Sequence, residues 1–393
     1  MMKSYHYCIY SIAALFCALF AQQTQSMVQV KVHTADYEWA VIGAGPGGIV
    51  VVGLLMDLGI APQQIAWIDP DFSVGRLGQY THVPANSTVK SFLDFLQACK
   101  TFSACPLTLD ALYAYGLDKE PPLGQLVIPL QQLTDYLCSC VVPVRSSLRA
   151  LNFSDDVWQL AIDGKTFSAQ RVVLATGSHP RPLHYACGSE IPLDCALDKT
   201  QLAQQIAPQD SIAVVGSAHS AVLVMKALSE LNVTRIINLY HTPLQYVVDM
   251  GNWLLHAETG LKGIAAEWAR NVLEKNPPAN LMRVFNCEAA RTAWLPICNK
   301  IVYAAGFERN DLPPINGSCS PINYDATTGL IAPHLFGIGI AFPEAQTDPL
   351  GNIEHRVGLN SFMAYAQRVT PEWLHKDLCR FNAFEKLFTI TVL

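Results

Sequence analysis

Apolar residues fall along this chain in two kinds of run. Short continuous blocks read as strands covered on both faces: Trp39 to Ile42, Ile65 to Ile68, Ser211 to Val215, Ile236 to Tyr240, Ile301 to Phe307 and Leu335 to Ala341. Between them, apolar residues recur at helical spacing. This predicts helices over Pro46 to Leu58 (closed by Gly59), Phe92 to Cys99, Ile128 to Leu137 after a proline start, His219 to Leu231 and Ile264 to Glu274. Val157 to Ile162 and Phe167 to Leu174 alternate instead, predicting a hairpin around Asp163-Gly164. Strands alternating with helices predict an α/β fold.

Two of the strand-to-helix junctions are rich in glycine and small residues. The first reads Gly43-Ala44-Gly45-Pro46-Gly47-Gly48 and the second Gly216-Ser217-Ala218-His219-Ser220-Ala221. Such a turn sets a pyrophosphate on a helix N-terminus. In the first, Gly43 makes the tight turn, Gly45 lets backbone approach phosphate, and Gly48 lets helix and strand pack closely. Asp69 ends the next strand, where a carboxylate accepts hydrogen bonds from ribose hydroxyls. Two turns imply two dinucleotides, and two dinucleotides imply electron transfer between them. The second unit's next strand ends in Tyr240-His241-Thr242, with neither the acid expected for NAD nor the arginine common for NADP. NADPH is the expectation there, with His241 either a phosphate contact or a surface loop residue.

Composition adds bounds. The 393 residues leave room for two domains, and charged residues are 15% against roughly 25% in an average soluble protein. A net charge of −6 gives no electrostatic footprint for nucleic acid. Residues 1–26 hold an apolar stretch, Ile9 to Ala21, after Lys3; they read either as an exported signal peptide or as sequence upstream of a start at Met27. No twin-arginine pair is present, which tips the expectation toward the cytoplasm. Cysteines are scattered, and Cys138-Ser139-Cys140 lacks the Cys-x-x-Cys redox or metal spacing, so no metal site is expected.

With these residues in hand, the chain resembles the two-dinucleotide flavoproteins. These form the pyridine-nucleotide-disulfide oxidoreductase superfamily, and the chain resembles especially its flavin-containing and N-hydroxylating monooxygenase branch. The resemblance covers about Tyr37 to Thr370. It implies two Rossmann-like domains, the NAD(P)H domain inserted into the FAD domain. FAD would lie on Gly43 to Gly48, beside the strand end Ala175-Thr176-Gly177, Gly78 and the late Gly337 and Gly339, with NADPH or NADH on Gly216 to Ala221. The implied boundaries are 35–185 and 300–370 for the FAD domain and 186–299 for the other, with an insertion at 243–277. Asn86 is similar to the asparagine that in flavin monooxygenases sits by the isoalloxazine and stabilises a flavin hydroperoxide; its alternative is a turn or helix cap.

The chain departs from that pattern in several places. The Phe-x-Gly-x-x-x-His fingerprint before the second turn is replaced by Ile191-Pro192-Leu193-Asp194-Cys195, and Ala218 stands where the second glycine is usual. Gly337-Ile338-Gly339-Ile340-Ala341 lacks the Gly-Asp pair of the disulfide reductases, and no Cys-x-x-Cys lies near either turn. The expectation is a FAD- and NAD(P)H-dependent monooxygenase that oxygenates a small nitrogen or sulfur nucleophile with O₂. The alternatives are a flavin reductase serving a quinone or protein acceptor, or a low-turnover redox-sensing module. A stripe through Leu374, Leu378, Phe381, Phe384 and Leu387 predicts an amphipathic helix over 371–393, packed on its own first domain or forming a homodimer or membrane contact.

Overall fold

The computed structural model describes residues 35–319 and 322–375; the leader and the tail beyond residue 375 lie outside them. The chain opens with β1 (Tyr37–Ile42), α1 (Pro46–Asp57) and β2 (Ile65–Ile68), then α2 (Val89–Leu96), α3 (Gly124–Cys140) and β3 (Val142–Val144). An antiparallel meander follows, β4 (Leu148–Ser154), β5 (Val157–Ile162) and β6 (Lys165–Leu174). β7 (Ser178–Pro180), β8 (Ser189–Glu190) and α4 (Leu193–Leu197) lead to β9 (Ser211–Val215), α5 (His219–Glu230) and β10 (Arg235–Tyr240). The insertion carries β11 (Val248–Asp249), β12 (Leu254–Leu255) and α6 (Gly263–Trp268); β13 (Leu281–Phe285), α7 (Glu288–Trp294), β14 (Lys300–Tyr303) and β15 (Phe307–Arg309) complete the second unit. The chain then returns through β16 (Leu330–Ala332), β17 (Leu335–Gly337), the hairpin β18 (Glu344–Thr347) and β19 (Ile353–Arg356), and α8 (Leu359–His375).

Two sheets result. One runs β16-β17-β6-β1-β2-β3, with β5 and β4 added from β6; the other runs β13-β10-β9-β14-β8. The β1–β2 and β1–β6 pairs are parallel, as are β9–β10 and β9–β14. β17 rejoins the first sheet parallel to β6. The second sheet is thus built within an excursion of the chain that forms the first.

Burial explains the apolar blocks. Trp39 to Val41 are 0% exposed because helices cover one face of β1 and the meander side covers the other. Helix α1 is buried almost all round, wedged between the sheet and α8. Trp373 of α8 stacks on Phe336 of β17 at 4.5 Å and donates its indole N–H to the Thr328 carbonyl at 2.8 Å.

Several elements differ from expectation. Helix α3 begins at Gly124 with Pro129 inside it. The stripe of Leu126, Pro129, Leu130, Leu133 and Leu137 is buried, and that burial outweighs the missing proline N–H. The strand expected over Ile301 to Phe307 breaks at Gly306 (φ +93°), and that expected to reach Ala341 stops at Gly337 before Gly339 (φ +77°). Helix α8 starts at Leu359, well before Pro371, because Phe362, Met363, Tyr365, Ala366 and Val369 are already buried. Among the described residues, no helix is long and apolar enough to cross a membrane.

Candidate active site

The β1–α1 turn is built of close approaches. Gly43 has φ +106°, and a Cβ there would stand 2.3 Å from the Ala175 carbonyl oxygen. A Cβ on Gly48 would lie 1.9 Å from the Gly43 oxygen, so no side chain fits. The Trp67 indole N–H donates to that same oxygen at 2.9 Å and fixes the turn on β2. Gly45 is the exception: a Cβ there meets nothing within 4 Å, because it faces open cleft. Gly47 packs against Gly339, whose Cα would lie 3.0 Å from its Cβ.

That cleft holds about 640 Å³. Gly43, Gly45, Pro46, Gly47, Asp69, Asn86, Ala175, Thr176, Gly177 and Gly339 all line it. Gly48, Gly78 and Gly337 stand behind its wall. A Cβ on Gly78 would meet the Ser73 oxygen at 2.5 Å, and one on Gly337 the Phe342 ring at 2.4 Å. Asp69 differs in detail from the expectation. Its carboxylate already accepts the N–H groups of Ala44 (2.8 Å), Asp71 (2.9 Å) and Phe72 (2.7 Å), tying the two strand ends together. Roughly one of its four lone-pair sites is left for a ligand.

Asn86 is exposed to the cleft, and its side-chain oxygen meets only the Ser87 hydroxyl, at 3.5 Å. It does not cap α2; Thr88 does, accepting the Ser91 N–H at 3.3 Å. The Thr176 hydroxyl is buried, lines the cleft and has no partner among the described residues. An orphaned hydroxyl beside an open glycine cradle fits a polar ligand such as a dinucleotide. Part of the cleft lining is apolar, with Phe92, Leu126, Leu359 and Phe362. Sequence reading missed Arg76 and Tyr80 there. Both bind the Asp194 carboxylate of α4, the Tyr80 hydroxyl at 2.7 Å, joining the first unit to the second. Burial pushes the Tyr80 hydroxyl up to about 12.

The second turn repeats the first. Gly216 has φ +127°, and its Cβ would stand 2.1 Å from the Ala304 oxygen, as Gly43 does to Ala175. Gly306 (φ +93°) follows Ala304-Ala305 just as Gly177 (φ +74°) follows Ala175-Thr176. That second Ala-x-Gly strand end was visible in the sequence as an internal repeat. Buried Asn238 donates to the Gly216 carbonyl at 2.7 Å and holds the turn. Gly216, Ser217, Ala218 and Ser220 are at least partly accessible, whereas Ala221 is buried under the turn. His219 begins α5, and its Nε2 accepts the Lys262 N–H at 2.9 Å, anchoring the insertion. Burial, then Lys262, pushes His219 down to about 4, so the ring is neutral. His241 is exposed at the end of β10, its Nε2 3.0 Å from the Asn286 amide nitrogen.

Residues 37–312 match the family model described as pyridine nucleotide-disulphide oxidoreductase. The chain belongs to this family. It is therefore a flavin-dependent oxidoreductase, an α/β protein of the two-dinucleotide class. This pyridine nucleotide-disulphide oxidoreductase is 32% identical to Monooxygenase AgnR1 of Paecilomyces divaricatus, over 85% of this chain and 97% of that one. In shape it resembles a flavin-containing monooxygenase from Stenotrophomonas maltophilia (TM-score 0.59, 14% identity, 87% of this chain and 99% of the other). It equally resembles a bacillithiol disulfide reductase from Staphylococcus aureus (TM-score 0.59, 11% identity, 87% and 99%). At those identities the two structures speak for the fold alone. Despite the family's name, no described cysteine lines the cleft. Cys138 and Cys140 close α3 as free thiols, with Cys138 pushed up to about 11 by burial.

Proposed function

We propose that this oxidoreductase is a single-component monooxygenase. It would draw two electrons from a reduced nicotinamide dinucleotide on the second turn and deliver one oxygen atom of O₂ to a nitrogen or sulfur nucleophile. The balance is NAD(P)H, a proton, O₂ and substrate giving NAD(P)⁺, water and oxygenated substrate. FAD on the first turn supplies the electron relay and the activation of oxygen. Gly43 to Gly47 and Thr176 hold that cofactor, and the Asp69 carboxylate stiffens the turn.

Asn86 carries the proposal. Its amide reaches the cleft with its hydrogen-bonding capacity almost unused, while Thr88 takes over the capping role. An amide N–H brought against developing negative charge on oxygen stabilises it, and a ligand filling the cleft would supply the hold on the Asn86 amide. Phe92, Leu126 and Phe362 add apolar surface to the lining of the same cleft. The relative named as a monooxygenase points the same way.

The test supplies the purified flavoprotein with isotopically labelled O₂, reduced nicotinamide and a panel of thioethers and amines. Labelled oxygen in a product, formed in step with nicotinamide oxidation, is the expected result. Asn86→Ala should divert most turnover to H₂O₂ while leaving the rate of nicotinamide oxidation within about threefold, a split of roughly 1–2 kcal/mol at the oxygen-transfer step. Turnover yielding only H₂O₂ or a reduced quinone contradicts the proposal and favours the reductase reading.

A further inference from the structure

Three strands of the second sheet end side by side. The Gly216 N–H donates to the Leu239 carbonyl at 2.9 Å, and the Asn286 N–H to the Tyr240 carbonyl at 2.8 Å. The glycine turn, the end of β10 and the end of β13 thus form one continuous rim. A dinucleotide whose pyrophosphate rests on that turn lays its adenosine ribose over the next strand end. That end is Tyr240-His241-Thr242, which carries no arginine.

The structure supplies one from the neighbouring helix. Arg291 of α7 donates from Nη1 to Oδ1 of Asn286 at 3.0 Å, and the Asn286 amide nitrogen lies 3.0 Å from Nε2 of His241. That amide nitrogen also reaches the Tyr185 hydroxyl at 3.3 Å, and the guanidinium lies over the Tyr185 ring at 5.2 Å. Asn286 is only 3% exposed, so the hub is fixed by its surroundings. Among the described residues Arg291 forms no ion pair with a carboxylate and uses one donor for Asn286, leaving the rest of its fork free. His241 is exposed beside it. A planar, permanently charged fork next to an imidazole suits a phosphomonoester, which carries close to two negative charges.

We infer that Arg291 and His241, positioned by Asn286, bind the 2′-phosphate of NADPH and make NADPH the preferred electron donor. This rests on the reading that the second turn holds the nicotinamide dinucleotide. The sequence concealed the site because the arginine is about fifty residues beyond the strand end where such a residue is usually sought.

The test measures binding directly, by calorimetric titration of the flavin-loaded protein with adenosine 2′,5′-bisphosphate and with adenosine 5′-monophosphate. The wild type should bind the bisphosphate about tenfold to a hundredfold more tightly, the range for charge-assisted hydrogen bonds. Arg291→Met should erase most of that preference, Arg291→Lys should restore part of it, and affinity for the monophosphate should stay within about twofold. Exposed His241→Ala should lower the preference severalfold, and it serves as the probe should Arg291 variants fail to fold. A wild type without preference, or a preference surviving both substitutions, overturns the inference while leaving the nucleotide reading intact. Binding of neither nucleotide removes the reading of the second turn itself, and the inference with it.

Discussion

Gly45 and Gly48 sit three residues apart in one turn, yet alanine at each should fail for a different reason. At Gly45 the backbone is extended (φ −75°, ψ 178°), which any residue adopts, and a Cβ meets nothing within 4 Å. Gly45→Ala should therefore fold, losing only about 0.5–1 kcal/mol as a poorer helix N-cap. The added methyl instead enters the space through which phosphate approaches the backbone. Displacing one charge-assisted hydrogen bond there costs about 1.5–3 kcal/mol, or roughly tenfold to a hundredfold in FAD affinity. At Gly48 the methyl would stand 1.9 Å from the Gly43 carbonyl oxygen, so turn and helix must separate. Gly48→Ala should cost the apo-protein about 3 kcal/mol or more. Thermal unfolding of the flavin-free protein and fluorescence titration with FAD separate the two effects. Wild-type FAD affinity in Gly45→Ala would refute the placement of the phosphate. Equal loss of apo-protein stability in the two variants would refute the geometry of the turn.

Three further outcomes follow from particular contacts. His219 is neutral in the folded protein and pushed down to about 4, whereas the unfolded chain binds a proton below about 6.5. Its contribution is thus complete above about 6.5 and is lost as pH falls toward 4; between pH 7 and 5 the loss is about 2 kcal/mol. His219→Gln should flatten that segment of a denaturation-versus-pH curve, and parallel curves would contradict the burial assigned to the ring. Asp69→Asn puts an amide where three backbone N–H groups need an acceptor. Chemical denaturation should show it about 1–3 kcal/mol less stable, and an unchanged midpoint would count against that network. Asp194→Asn weakens the half-exposed pair with Arg76, so stability should fall by no more than about 1 kcal/mol. Proteolysis within the linkers near Ser178 and Phe307 should nonetheless accelerate severalfold, and unchanged cleavage would show that the contact does not hold the units together.

The parts of the fold legible in the sequence are those where local pattern and burial agree. β2 falls where its apolar block placed it, because Ile65 to Ile68 are buried on both faces and flanked by turn residues. The Asp163-Gly164 hairpin was readable from its turn residues between two strand-like runs. Helix α3 was misplaced at its start because proline suggests a beginning, whereas a buried leucine stripe carried the helix through it. β4 was missed because its alternating polar residues look like loop until β5 pairs with it. At the site, Gly43 and Gly48 were legible because sterics demand them, whereas Gly45 meets no such limit. Arg76, Asp194, Asn238 and Asn286 were not legible, since their contacts join distant segments. The one missed feature with a local signal is Ala304-Ala305-Gly306, a repeat of Ala175-Thr176-Gly177.

The central claim is that one crevice holds a flavin that a nicotinamide on the second turn can reduce. Anaerobic addition of NADPH to the FAD-loaded protein, followed by visible absorbance, tests it most directly. Rapid loss of the oxidised flavin band, stoichiometric with the nicotinamide added, is the predicted result. A protein that stays colourless with excess FAD, or a bound flavin that neither NADPH nor NADH bleaches, would contradict it.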